Sequence, residues 1–122
     1  MASDKQHRSN NAGLAGEIVQ RIVHEIHPWK IILFGSRSKG TARPGSDFDI
    51  LVIANSKESR SRRSARLYGV LSDLIQPMDI LVYTPEEVKD WQNVPQAFIT
   101  TAVREGKLIY ENPGGPGQKL AA

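Results

Sequence analysis

The segment Phe34–Ile50, with the sequence FGSRSKGTARPGSDFDI, constrains the fold of this chain more than any other. The pair Gly35-Ser36 follows one apolar run, and Asp47 and Asp49 stand at the start of the next. Residues two apart on a strand point to the same face of a sheet, so both carboxylates project together. Like charges held that close repel each other unless a cation lies between them. Such a concentration of unlike chemistry indicates a functional site rather than packing.

Hydrophobic spacing on both sides of this segment predicts an α/β (α+β) chain. Short apolar runs bounded by glycine or proline indicate buried strands, and apolar residues three or four positions apart indicate helices. The predicted elements are a helix over 13–27, a strand over 31–34, a strand over 47–53, a helix marked by Ala65, Leu67, Val70, Leu71, Leu74 and Ile75, a strand over 78–83, a short helix over 84–92, a helix over 95–105 and an edge strand over 107–110. Thr84, Pro85 and Glu87 predict the start of the third helix, because they combine a cap, a first-turn proline and a capping box.

The connections predict the strand directions. If the Gly35-Ser36 end of the first strand meets Asp47 at the start of the second, these two strands run antiparallel. The second and third strands are joined through a long helix, and such a crossover makes them parallel. Asp79, near the start of the third strand, then lies beside the aspartate pair. Three carboxylates at one sheet end can hold two Mg2+ ions about 3.5–4 Å apart.

Each part of this pattern has a simpler explanation when it is taken alone. A Gly-Ser pair is a common turn former, although its backbone N–H groups and hydroxyl also suit phosphate oxygens. Asp47 can close the loop after Pro44-Gly45, and Asp79 can be a simple strand-entry residue. Asp49 is harder to explain, because it lies where the strand is already apolar and a buried anion needs a partner.

Composition narrows the classes of protein. A chain of 122 residues with 39% hydrophobic content fits one domain, which we expect over 13–111, with disordered tails over 1–12 and 112–122 and vector-derived residues at 119–122. A formal net charge of +3 permits an anionic partner. The absence of cysteine excludes disulfides and thiolate metal sites. With no signal peptide and no membrane-spanning run, we expect a cytoplasmic protein without membrane contact.

The combined motif resembles that of the DNA polymerase beta-like nucleotidyltransferase superfamily, and in particular its small branch, the minimal nucleotidyltransferases. The matching positions are Gly35-Ser36, Gly40, Arg43, Ser46-Asp47-x-Asp49 and Asp79. The resemblance spans roughly Gly13 to Tyr110. Ser38 and Lys39 stand where Ala and Arg are frequent in the family, which preserves size and charge.

The resemblance implies a polymerase beta-like nucleotidyltransferase fold, a mixed sheet of three to four strands flanked by helices. It also implies Mg2+-dependent transfer of a nucleoside monophosphate, AMP from ATP, to a hydroxyl. The residues implied to bind the nucleotide are Gly35, Ser36, Arg37, Lys39, Arg43 and Ser46. The residues implied to bind metal and to act in catalysis are Asp47, Asp49 and Asp79, the last as third ligand or base.

The acceptor is expected on another molecule, because larger relatives grip it with a helical domain that this sequence does not match. The resemblance suggests a separately encoded helical partner of the HEPN toxin type, with a tyrosine as the AMP acceptor and this chain as the antitoxin. One alternative is a non-catalytic module that neutralises a toxin by complex formation. Another is a transferase that modifies a small molecule or a nucleic acid end with an accessory subunit.

A basic cluster opens the second long helix and consists of Arg60, Arg62, Arg63 and Arg66. It can be a patch for phosphate, nucleic acid or an acidic partner, or it can be a solvated helix face. The solvated face is favoured, because Tyr68 alone supplies an aromatic side chain nearby. Nucleic acid is therefore not the favoured partner.

Overall fold

A computed structural model describes residues 10–35, 47–94 and 97–114 of the chain. Its helices are α1 (Asn10–Ile26), α2 (Arg60–Val70), α3 (Pro85–Trp91) and α4 (Phe98–Glu105). Its strands are β1 (Lys30–Phe34), β2 (Phe48–Ile53), β3 (Met78–Tyr83) and β4 (Lys107–Glu111). None of the helices in these ranges is long and apolar enough to cross a membrane.

The four strands form one mixed sheet in the order β3-β2-β1-β4. β1 runs antiparallel to β2 and β4, whereas β2 and β3 run parallel. The predicted strand directions are therefore confirmed, and β4 is an edge strand as expected. Phe34 at the end of β1 pairs with Asp49 near the start of β2, and Asp49 pairs with Asp79 near the start of β3. The end of β1 and the starts of β2 and β3 therefore lie at the same end of the sheet.

Two helical layers cover the sheet, one on each face. Side chains of β2 alternate between the layers, and Phe48, Ile50 and Val52 pack in one core with residues of α1 and α2. Leu51 and Ile53 pack in a second core with residues of α4. Burying each such side chain contributes roughly 1.5–3 kcal/mol. β2 is thus covered on both faces, as its nearly continuous apolar run predicted.

Local signals explain where several helices begin and end. α1 ends before Pro28, where His27 adopts a left-handed φ of 48°. α3 starts with the predicted capping box: the Glu87 backbone N–H donates to the Thr84 hydroxyl at 3.1 Å, and the Thr84 N–H donates to the Glu87 carboxylate at 2.9 Å. α4 ends at Glu105 and is followed by Gly106, where a Cβ atom would overlap the Ile32 side chain of β1.

The prediction for the second long helix was wrong at its C-terminal end. α2 ends at Val70, and the chain continues in turns in which Ser72 N–H donates to Gly69 O at 3.3 Å. Ile75, predicted on the apolar stripe, is fully exposed. Gly69 in the last turn lowers helix stability by about 1 kcal/mol relative to alanine. The buried positions of α2 are Leu67, as predicted, and Arg63, which was not predicted to be buried.

Side chains of α2 cover the outer edge of β3. The Tyr68 hydroxyl accepts a hydrogen bond from Ile80 N–H at 2.9 Å and donates to Met78 O at 3.4 Å. The Ser64 hydroxyl donates to Ile80 O at 3.0 Å. Exposed strand edges are templates for unwanted pairing with other chains, and these contacts occupy the backbone groups that such pairing needs.

Candidate active site at the end of the sheet

The site is built around Asp49, the second residue of the central strand. In the strand register Asp49 is the partner of Asp79 on β3 and of Phe34 on β1. Partners in register lie on adjacent strands about 4.8 Å apart and face the same side. By the same alternation as Leu51, this is the side that carries α4. The predicted meeting of Asp49 and Asp79 is confirmed.

The electrostatic environment of Asp49 is unfavourable to its charge. Partial burial raises the pKa of the Asp49 carboxyl, and the negative charges of Asp79 and Asp47 raise it further. Asp47 lies just before β2, and both Asp47 and Asp79 are exposed. Asp79 and Asp47 thus both act on Asp49, and a bound cation would relieve this repulsion.

Gly35, at the end of β1, lies directly against the Asp49 carboxylate. A Cβ atom at this position would overlap Oδ2 of Asp49 and lie 3.3 Å from its Cγ. The φ angle of Gly35 is also +75°, a conformation that residues with a Cβ rarely adopt. Glycine is thus required here for two separate reasons, and Gly35 at the end of the first strand does meet Asp49 near the start of the second.

The rest of the predicted nucleotide loop falls outside the described residues. These positions are Ser36, Arg37, Lys39, Arg43 and Ser46. Their assignment to nucleotide binding stays a prediction. The predicted tails likewise fall outside, except for 10–12, which belong to α1, and 112–114, which follow β4.

The carboxylates supply the right donor atoms for Mg2+, which prefers oxygen ligands. Among residues 10–35, 47–94 and 97–114, however, no three His, Cys, Asp or Glu side chains are arranged closely enough to hold a metal ion. Asp47, Asp49 and Asp79 thus supply suitable oxygen atoms, and a cation would relieve the repulsion on Asp49. Their side chains are nevertheless not arranged as a complete set of metal ligands. Their role as metal ligands stays a prediction.

A small cavity of about 120 Å³ opens beside this site. Phe34 and Gly35 form one wall, and Phe98, Thr101 and Glu105 of α4 line the other. The Phe98 ring meets Phe34 edge to face, with 5.1 Å between centroids, and remains 51% exposed. Gly35 therefore borders both the cavity and the Asp49 carboxylate.

The basic cluster fits neither of its two predicted descriptions fully. Arg63 is only 9% exposed, and it donates to Glu58 O at 2.9 Å, to Val82 O at 3.1 Å and to the Glu87 carboxylate at 2.7 Å. Arg63 is thus a structural residue that ties α2 to β3 and α3. Sequence reasoning missed this role, although Arg63 stands four residues before the buried Leu67 and shares its stripe.

A second cavity of about 200 Å³ lies at the opposite end of the sheet and is lined by Glu25, Glu58, Arg63 and Arg66, among others. Its charges are already paired, since Arg66 contacts Glu58 at 2.8 Å and Glu25 at 3.4 Å. It is also remote from Asp49, because it adjoins the last residues of β2 rather than the first. The carboxylate end of the sheet is the better candidate for chemistry.

Comparison with known proteins agrees with this choice. The sequence model of the family described as Polymerase beta, Nucleotidyltransferase matches residues 17–113, which include every strand and all three aspartates. No curated protein matches the chain significantly.

Proposed function

The chain belongs to the polymerase beta nucleotidyltransferase family, and from this premise we propose that it transfers AMP from ATP to a hydroxyl acceptor with the help of Mg2+. The observation that carries the proposal is the contact of Gly35 with Asp49, which is itself in register with Asp79. A phosphate-binding turn and a set of carboxylates are useful for this chemistry only when they lie side by side.

The proposed roles follow from the position of each residue. Gly35 and Ser36 bind the triphosphate at the turn, where Arg37, Lys39 and Arg43 neutralise its charge. Asp47 and Asp49 hold Mg2+, and Asp79 is the third ligand or the base. Bound Mg2+ supplies charge stabilisation to the attacking and leaving oxygens.

The reaction is an in-line displacement at the α-phosphorus of ATP. The acceptor oxygen forms a bond to this phosphorus, and the bond from the α-phosphorus to the oxygen that bridges it to the β-phosphorus breaks. Pyrophosphate leaves with the electron pair of that bond. The hydroxyl proton passes to a carboxylate, for which the exposed Asp79 is the candidate.

The proposed acceptor is a tyrosine of a helical HEPN-type toxin, which this chain would neutralise as an antitoxin. Exposed apolar side chains in the layer that carries α3 and α4 support a protein partner on this side. Trp91 is 42% exposed, and Val94, whose backbone N–H donates to Trp91 O, is exposed as well. Clustered exposed apolar side chains are typical of interaction surfaces.

A labelling experiment tests transfer. The protein is incubated with Mg2+, with ATP labelled at its α-phosphate and with the product of the adjacent gene. The same incubation is repeated with the variants Asp47→Asn and Asp49→Asn. We expect label on the partner with the wild type and none with either variant. Asp73→Asn, which removes an exposed carboxylate beside α1 in the other helical layer, is the matched control and should leave labelling unchanged.

Two other outcomes separate the alternatives. Complex formation without label on the partner, under all metals and nucleotides tried, contradicts the enzymatic proposal and favours a module that neutralises by binding. Label that appears instead on a small molecule or a nucleic acid end contradicts the toxin as acceptor and leaves nucleotidyl transfer standing.

A further inference from the structure

We propose that the cavity between β1 and α4 binds the base of the nucleotide and selects bases that carry an exocyclic amino group. This inference rests on the proposed function, since it assumes that the triphosphate lies at Gly35. It adds a base-binding site and names the side chains that set nucleotide preference.

Position is the first argument. The cavity includes Gly35 in its wall, and the same glycine touches the Asp49 carboxylate. A nucleotide whose phosphates lie at the turn therefore has this cavity as a neighbour. Its volume of about 120 Å³ suits a planar heterocycle rather than a whole nucleotide.

The aromatic wall is the second argument. Phe98 is held by an edge-to-face contact with Phe34, which fixes the ring while leaving it half exposed. A fixed and exposed aromatic ring is a platform on which a nucleobase can stack, and stacking tolerates any base. Phe98 would thus contribute affinity without selecting among bases.

The polar wall is the third argument. Thr101 and Glu105 lie four residues apart on α4, so both reach the same cavity. The preceding Thr100 hydroxyl, by contrast, is used inside the fold and donates to Trp91 O at 2.7 Å. Thr101 therefore offers a hydroxyl and Glu105 a carboxylate to a bound molecule.

This pair of groups fits some bases better than others. A carboxylate only accepts hydrogen bonds, whereas a hydroxyl both donates and accepts. Adenine, cytosine and guanine each present an amino group to the carboxylate and a ring nitrogen or carbonyl to the hydroxyl. Uracil has no amino group, and its edge presents a single ring N–H between two carbonyl oxygens, which the carboxylate repels. The Glu105 contact with Arg104, at 3.4 Å, is exposed and leaves the carboxylate available.

The test is equilibrium binding of four non-hydrolysable nucleoside triphosphate analogues and of inorganic tripolyphosphate to the full chain with Mg2+. We expect the adenine, cytosine and guanine nucleotides to bind the wild type about tenfold more tightly than the uracil nucleotide, the size of one lost charged hydrogen bond. Glu105→Gln should largely abolish this preference, because the amide can also donate. Glu111→Gln on β4 is the matched control and should keep the preference.

A second variant separates stacking from selection. Phe98→Ala should weaken all four nucleotides together while leaving tripolyphosphate binding unchanged. Equal affinity of the wild type for the uracil nucleotide, or a preference that survives Glu105→Gln, would overturn the base site. If tripolyphosphate still binds in that case, the proposed function is not contradicted. If neither tripolyphosphate nor any nucleotide binds, the proposed function fails as well. Because Glu105 is exposed, its variant gives a result even if Phe98→Ala does not fold.

Discussion

Gly35 lies so close to Asp49 that a single added carbon at the glycine would overlap the aspartate carboxylate. Gly35 and Asp49 are therefore in close contact, with no room for a side chain between them. Gly35→Ala should lose both stability, by about 1–2 kcal/mol for the left-handed backbone alone, and nucleotide binding. Urea unfolding and nucleotide titration measure the two effects.

The control for this substitution lies in α1. A Cβ atom at Gly16 would meet nothing within 4 Å. Gly16→Ala should therefore stabilise the chain by up to about 1 kcal/mol, because alanine favours the helix. A Gly35→Ala variant as stable as the wild type, with unchanged nucleotide affinity, would contradict the close contact of Gly35 with Asp49.

Asp79→Asn should have opposite effects on stability and on ligand binding. The charge of Asp79 contributes to the raised pKa of Asp49, so its removal relieves a repulsion and should raise the melting temperature without divalent cations. The further rise caused by Mg2+ with ATP should shrink, because a ligand that binds the native state stabilises it in proportion to its affinity. Differential scanning fluorimetry with and without chelator measures both effects.

The matched control is Asp90→Asn on α3, which keeps the same change of residue type away from the site. It should leave the response to Mg2+ with ATP intact. A wild-type response in Asp79→Asn would remove Asp79 from the proposed ligand set.

Glu87 should make stability depend on pH in the acid range. Burial alone would raise the pKa of Glu87, but hydrogen bonds from Arg63 and the Thr84 backbone, with the charges of Arg63 and Arg60, outweigh it and lower the pKa below the usual 4.5. A lowered pKa means that the stabilisation is complete above the unfolded-state value and disappears as pH falls through the folded-state value. The stability difference between the wild type and Glu87→Gln should therefore shrink below about pH 4.5.

Urea unfolding at a series of pH values checks this behaviour. Glutamine can still serve in the capping box, so the variant isolates the charge. Glu86→Gln, at an exposed neighbouring position in the same helix turn, should show a small difference at every pH. A difference for Glu87→Gln that stays constant from neutral to acid pH would contradict the charge-based account.

Tyr68→Phe should weaken the cover over the edge of β3. The variant removes the hydroxyl that bridges Met78 O and Ile80 N–H, which should lower the free energy of unfolding by about 1 kcal/mol. It should also increase association between chains, because the edge becomes available for pairing. Urea unfolding and light scattering measure these two effects, and Tyr110→Phe on β4 serves as the control.

The strand arrangement could be predicted because connection length limits strand direction. A crossover through α2 requires β2 and β3 to be parallel, and this alone brings Asp79 beside Asp49. The burial of Arg63 could not be predicted in the same way. Hydrophobic patterns record which residue types favour the core, whereas Arg63 is buried because carbonyl and carboxylate oxygens from three separate parts of the chain surround it.

The same limit applies to the end of α2 and to the cavity. Ile75 continues the apolar spacing of the helix, but the helix ends at Val70, directly after Gly69. Apolar spacing alone does not show whether the pattern or the glycine decides where the helix ends. The cavity depends on how α4 packs across the end of β1, a contact between segments about sixty residues apart. Apolar spacing within each segment does not predict how two segments so far apart in the sequence pack against each other.

The central place of β2 in the sheet has a consequence for motion. Hydrogen bonds join this strand to β1 on one side and β3 on the other, and a packed helical layer lies on each face. Local opening begins where contacts are few, so the amides of β2 should be among the last to exchange with solvent. Asp49 belongs to that strand. Its carboxylate is therefore carried by the part of the backbone that stays closed while other segments open and close.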